Sequence, residues 1–154
     1  MKKKISIITL AVCILIIGAC VLLKMISDSK PSYSLLTEEE FSRYYTNFTI
    51  TPGTDEWAEL RLNEMWDQCR IDEDVLDKLS TNELMRCVLA FPLLGDIYLF
   101  DTPQQALAYM VKASNAYVHL IERDDFEEVR DEWKRISEEW GEEYMFQKRF
   151  LEIL

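Results

Sequence analysis

Residues 80 to 100 read STNELMRCVLAFPLLGDIYLF, and no other stretch beyond the N-terminal segment is as apolar for as long. Ser80 with Glu83 three positions on has the spacing of a capping box, which opens a helix. Leu84, Cys87 and Val88 recur at helical spacing, with Leu89 and Phe91 beside them. Pro92 has no N–H to donate and interrupts the backbone ladder. Leu93, Leu94, Ile97, Leu99 and Phe100 then resume the apolar run at once. This stretch is expected to be the centre of the core, and it holds no evident chemistry.

The rest of the composition agrees with a helical core. Of 154 residues, 49% are hydrophobic, with only four glycines and four prolines, which favours a folded helical chain over a disordered or β-rich one. The net charge is −11, unevenly spread: the first 30 residues hold five lysines and one aspartate, +4, so the remainder carries −15. A domain that acidic repels phosphate backbones and anionic lipid, which disfavours nucleic acid as a partner.

Lys2, Lys3 and Lys4 precede 19 uncharged residues, Ile5 to Leu23. As a helix at about 1.5 Å per residue they reach roughly 28 Å, close to a bilayer's hydrocarbon thickness. The lysines are expected to stay cytoplasmic, placing the C-terminal domain on the outer side. The segment has two readings. It is a retained transmembrane signal anchor, or Ile17-Gly18-Ala19-Cys20 is a lipobox whose cleavage leaves a lipidated Cys20. The aliphatic residue, the two small residues and the cysteine fit a lipoprotein signal; the apolar Val21-Leu22-Leu23 after it does not. The expected organisation is an anchor or signal at 1–26, a tether at 27–36 containing Pro31, and an extracytoplasmic helical domain at 37–154.

Within that domain, Thr37 with Glu40 repeats the capping-box spacing and opens a helix to about Tyr45, with Phe41, Tyr44 and Tyr45 on one face. Residues 46–53 read as an extended link ending in Pro52-Gly53; Asn47-Phe48-Thr49 is a sequon by spelling alone. Thr54 or Asp55 caps a helix whose face is Ala58, Leu62, Met65, Trp66 and Cys69, flanked by Trp57. Asp72 to Leu79 is a short helix or turn. Thr102-Pro103 starts a helix with a stripe at Ala106, Leu107, Met110, Val111, Ser114, Val118 and Ile121. Asp124 or Asp125 caps a further helix with Phe126, Val129, Trp133, Ile136 and Trp140 inward. Gly141 precedes a final helix. The fold class is all-α: an irregular or orthogonal bundle of six or seven short helices with short connections.

The run Cys69-Arg70-Ile71, Val75-Leu76, Leu79-Ser80-Thr81, Glu83-Leu84, Val88-Leu89, Phe91-Pro92-Leu93-Leu94 and Asp96-Ile97-Tyr98 resembles a family of uncharacterised, exported, membrane-anchored proteins of Gram-positive bacteria. The resemblance covers roughly residues 55–130. It implies an exported helical domain. Longer members carry a C-terminal Cys-His region that is not found here, so no catalytic residue is carried over.

Few residues stand out as candidates for chemistry. His119 is the single histidine, without a nucleophile or ligand set in the pattern, and is expected to be structural. Cys69 and Cys87 could bridge in an outward compartment; each also lies on an apolar face, where a free thiol acts as a small hydrophobe. Two ligands are too few for zinc. The acidic clusters at 72–74, 124–128 and 138–143 lack the spacing of a calcium loop. Asp96, inside LLGDIYLF, needs a partner if buried and is expected to cap the helix after Gly95. Asn115 is expected to bond a neighbouring backbone or mark a hinge. Trp133 and Trp140, seven apart, point the same way and could line a groove, with core filling the plainer use. No phosphate loop, serine elbow or zinc-helix motif occurs, and no metal or cofactor is expected. The leading expectation is a non-enzymatic interaction or accessory module of the envelope with a protein partner. The alternative is a binder of a small apolar ligand through a Trp/Tyr groove, and the last is a remnant of a catalytic protein.

Overall fold

Ser80 and Glu83 close the capping box their spacing predicts. Ser80 Oγ accepts from the Glu83 amide at 3.3 Å, and Glu83 Oε2 accepts from the Ser80 amide at 2.9 Å. In the computed structural model, which describes residues 33–154, this opens helix α5, Thr81–Leu89. The expected anchor at 1–26, the first part of the tether and Cys20 lie outside the described residues. Leu84, Met85, Cys87, Val88 and Leu89 of α5 are all inaccessible to solvent. Helix α5 is therefore the centre of the core.

The described residues are all-α, with no strand. Before α5 come α1 (Glu38–Tyr44), α2 (Asp55–Ala58), α3 (Leu62–Gln68) and α4 (Glu73–Leu76). After it come a first 3-10 helix (Leu94–Leu99), α6 (Pro103–Ala113), α7 (Asn115–Ile121), α8 (Phe126–Ser137), a second 3-10 helix (Glu142–Tyr144) and α9 (Met145–Ile153). Helix α5 packs on α7 and α8, α6 on the first 3-10 helix and α7, and α9 on α8 and the first 3-10 helix.

The nine α-helices among the described residues exceed the expected six or seven because two expected helices are each broken in two. The first break is at Glu59 to Arg61, where Arg61 is extended (φ −74°, ψ 157°). On a continuous helix Trp57 and Trp66, nine residues apart, would point roughly 180° from each other. The break lets both pack inward: Trp57 is 8% exposed and meets Phe48 edge-on, while Trp66 meets Tyr109. Ala58 and Leu62, expected on the inner face, are exposed instead.

The second break is at Ser114 (φ −124°, ψ 110°), which ends α6 and caps α7, its Oγ accepting from the Tyr117 amide at 3.3 Å. Serine suits a cap better than a helix interior because its hydroxyl competes for backbone groups. The expected stripe does not survive the break. Val111 and Ile121 turn outward, and Ala116, Tyr117 and Leu120 are buried in their place.

Candidate functional site

Helix α6 starts where Thr102-Pro103 predicts: Thr102 Oγ1 accepts from the Gln105 amide and Gln105 Oε1 from the Thr102 amide, both at 3.3 Å. This sets Tyr109 two turns on, buried between α3 and the first 3-10 helix. Its hydroxyl donates to Asp96 Oδ2 at 2.9 Å. Burial first, and the Asp96 charge second, push the Tyr109 hydroxyl's pKa upward. The indole N–H of Trp66 opposes that shift, yet it closes no hydrogen bond of normal geometry and is buried. Asp96 thus has a tyrosine hydroxyl as its partner and does not take the cap role expected for it, the cap position being Leu93.

Above this floor lies a groove of about 490 Å³. Leu62 and Trp66 of α3 form one wall and Gln105, Ala108, Tyr109 and Lys112 of α6 the other; Leu99, Phe100 and Asp101 close the end. Phe100 and Tyr109 are 5.2 Å apart between ring centroids. The groove borders a row of exposed apolar side chains. Leu99 is 79% exposed, Leu62 53% and Tyr98 51%. The Tyr98 ring meets Phe146 edge-on at 5.5 Å, and its hydroxyl donates to the Met145 carbonyl at 3.3 Å. Phe146 lies over Gly95, 3.6 Å from where a Cβ would stand, and both Met145 and Phe146 are exposed. The central stretch, inward as far as Ile97, therefore turns outward at its end.

Of the two uses open to the tryptophan pair, Trp133 takes the plainer one, core filling. Trp133 is 0% exposed and donates Nε1–H to Asn82 Oδ1 at 2.8 Å, with Tyr33 and Trp140 edge-on against it. Trp140, beyond the end of α8, is partly buried against the same core. Cys69 and Cys87 are free and buried, with no bridge between them, and burial pushes each thiol up to about 12. Such thiols stay protonated and unreactive.

His119 Nε2 lies 2.8 Å from Glu73 Oε2, and its Nδ1 is 3.9 Å from Asp77 Oδ1. Asn115 meets the first of its two expectations. It is the first residue of α7, and its amide holds the Ile71 backbone, accepting from N at 3.2 Å and donating to O at 2.7 Å. It also donates to Glu73 Oε1 at 3.0 Å, and with His119 this lowers the Glu73 pKa. The cluster staples α4 to α7. Asp125 stands at the start of α8, but its carboxylate accepts from the Thr81 hydroxyl of α5, not from its own helix. Among the described residues no group of three or more His, Cys, Asp or Glu is placed to hold a metal.

Two features escaped the sequence reading. One is Arg86, buried in α5: it donates to Glu40 through both terminal nitrogens (2.9 and 2.7 Å) and to the Ser34 carbonyl at 2.6 Å. These bonds hold the Glu40 carboxyl at about 2. They also dock residues 34–35, taking them out of the expected tether. The signal was present, since Arg86 breaks the run LMRCVL as Asp96 breaks LLGDIYLF. The other is the groove, whose walls come from three separate segments.

No protein-family model, no curated protein and no solved structure matches this chain. No helix among the described residues is long and apolar enough to cross a membrane.

Proposed function

We propose that the chain is a non-enzymatic interaction module of a Gram-positive cell envelope. Residues 1–26 anchor it in the cytoplasmic membrane, by a retained helix or by a lipid on Cys20, and an irregular bundle of helices faces outward. The observation that supports this reading best is the row Leu62, Leu99, Tyr98, Met145 and Phe146. All five are exposed; Leu62 and Leu99 border the groove, and Tyr98, next to Leu99 in the chain, meets Met145 and Phe146. Large apolar side chains grouped in the open mark a contact surface. The charge of −15 beyond residue 30 argues against nucleic acid as the partner.

Two measurements test it. Protease added to wall-stripped cells removes the domain if it faces outward; survival of the domain there, with digestion only after lysis, defeats the address. Extracted in mild detergent, the wild-type chain migrates in a complex larger than itself, and the Leu62→Asp/Leu99→Asp variant migrates alone. Equal migration of the two defeats the contact role of this face. In the same cells, fatty-acid labelling lost in Cys20→Ser selects the lipid anchor over the retained helix.

A second reading has one observation in its favour. The groove is lined by Trp66, Phe100 and Tyr109, so a small apolar ligand would find aromatic walls there. Organic extraction of the purified chain followed by mass spectrometry distinguishes the readings: a stoichiometric small molecule supports the ligand, and its absence supports the protein contact.

A further inference from the structure

The small-ligand reading leaves the ligand's chemistry open, and the lining of the groove narrows it. At about 490 Å³ the groove has the size of a small-molecule site. Its aromatic floor gives ring faces and no polar grip: the Tyr109 hydroxyl is taken up by Asp96, and the Trp66 N–H is buried. Polar contact is left to three exposed residues of the lining, Asp101, Gln105 and Lys112. Gln105 turns its Oε1 to the Thr102 amide, so its NH2 group is the end left to donate. Neither Asp101 nor Lys112 enters an ion pair among the described residues.

The two charges stand at opposite ends. Asp101 precedes α6 at the closed end of the groove, and Lys112 lies in the last turn of that helix. From Gln105 to Lys112 the helix rises about 10 Å, at about 1.5 Å per residue. A ligand that meets both charges must hold a cation and an anion about that far apart, with an apolar body between them. A fatty acid would meet Lys112 alone, and the charge of −15 beyond residue 30 repels anions in general. A free amino acid carries both charges on one carbon, and a zwitterionic lipid headgroup carries them a few bonds apart, so neither spans the groove. An extended peptide covers about 3.3–3.6 Å per residue. Two to four residues therefore bridge the two ends, and Gln105, between them along α6, has an NH2 group to offer a peptide carbonyl.

We propose that the groove binds a short peptide of two to four residues with both ends free. Its α-ammonium pairs with Asp101 and its α-carboxylate with Lys112, while an apolar side chain lies on the rings of Trp66, Phe100 and Tyr109. The proposal rests on the small-ligand reading above.

The test titrates the purified full chain, in an uncharged detergent, with di-, tri- and tetrapeptides of alanine that carry one phenylalanine. Calorimetry is expected to show saturable binding of at least one of them. N-acetylation and C-amidation of that peptide each weaken binding about tenfold, as for a lost hydrogen bond between charged groups. The all-alanine peptide of the same length also binds at least about tenfold more weakly, for want of an aromatic ring to bury. The pairing is read from variants at the two exposed positions, where substitution leaves the core alone. Asp101→Asn weakens the free peptide about tenfold and becomes indifferent to N-acetylation, and Lys112→Met becomes indifferent to C-amidation. Affinity unmoved by capping either end, or variants that weaken free and capped peptides alike, overturns the proposal. No peptide binding, with a fatty acid or another molecule of one charge or none in the organic extract, overturns the peptide and leaves the small-ligand reading standing. No peptide binding and an empty extract overturn both.

Discussion

The two ends of one apolar stretch behave differently. Around α5 every large side chain is closed off, and the polar groups among them are engaged: Arg86 with Glu40 and the Ser34 carbonyl, Asn82 with Trp133, Asn115 with Ile71. Ten residues beyond the end of α5 the same run shows Leu99 to solvent. Apolarity alone therefore does not decide burial. The difference lies in the elements available to cover each end. Helix α5 has α7 and α8 on it, whereas the end of the first 3-10 helix packs chiefly on α6 and α9 and faces α3 across the open groove. The filled region explains stability, and the uncovered one is where function is to be sought.

The sharpest way to break this contrast is to cut a large ring from each side. Trp133→Ala removes a fully buried indole with two ring neighbours. It is expected to cost about 3–5 kcal/mol, a large part of the roughly 5–15 kcal/mol that holds a typical domain together. Trp66→Ala, at the half-covered groove, is expected to cost about 1–2 kcal/mol, since part of its surface is already in water. Urea unfolding of the two variants measures the gap. Equal costs would mean that the groove is as much core as α5 is.

Arg86→Met comes next. The guanidinium is nearly buried, while its Glu40 partner keeps about a quarter of its side chain exposed (7% and 26%). After substitution Glu40 can rehydrate, but the Ser34 and Leu35 carbonyls lose their donor. The expected cost is about 2–4 kcal/mol, toward the lower end for breaking a buried pair. Residues 33–36 should also become sensitive to protease, because Arg86 is what docks them. A variant that keeps this segment protected would show that Tyr33 on Trp133 holds it instead.

How far the chain could be read in advance tracks the same division. The capping boxes at Thr37 and Ser80 and the Thr102-Pro103 start are local signals; both boxes close as their spacing predicts, and α6 begins at Pro103 with Thr102 as its cap. The all-α class and the central role of 80–100 come from them and from the periodicity. Helix breaks were missed where tertiary packing overrides a continuous pattern: Trp57 and Trp66 both find cover only if α2 and α3 separate. For Trp133 and Trp140 the spacing left a groove and core filling both open, because it suggests a shared direction and not what lies in that direction. The walls of the groove, at residues 62–66, 99–101 and 105–112, are distant in sequence, and no local pattern joins them.

Acid probes the filled side more gently. The Glu40 carboxyl, held at about 2 by hydrogen bonds from Arg86 and the Thr37 amide, is lowered from its ordinary 4.5. A depressed carboxylate contributes stability that is fully present above its unfolded pKa and is lost as pH falls through the folded one. Stability should therefore decline between about pH 4.5 and pH 2. In Glu40→Gln this part of the decline disappears, while neutral-pH stability is already lower. Glu73, lowered by Asn115 and His119, contributes with the same sign. Thermal melts at stepped pH compare the slopes. Parallel slopes for wild type and Glu40→Gln would mean that Arg86 does not hold a charged Glu40.

The smallest effect on folding is expected where the effect on assembly is largest. Leu99 buries little of its side chain, so Leu99→Asp removes almost no area from the core. Exposed positions outside special features usually change stability by less than about 0.5 kcal/mol. The introduced carboxylate joins Asp101 on the groove rim and remains in water, so neither strain nor an unpaired buried charge arises. Melting temperature and urea midpoint should match the wild type, while the larger complex in detergent extracts is lost. If Leu99→Asp instead unfolds the chain, Leu99 is covered in the native state by part of the same molecule. The uncovered face would then be a core surface whose cover comes from within the chain, and the contrast between the two ends of the stretch would vanish.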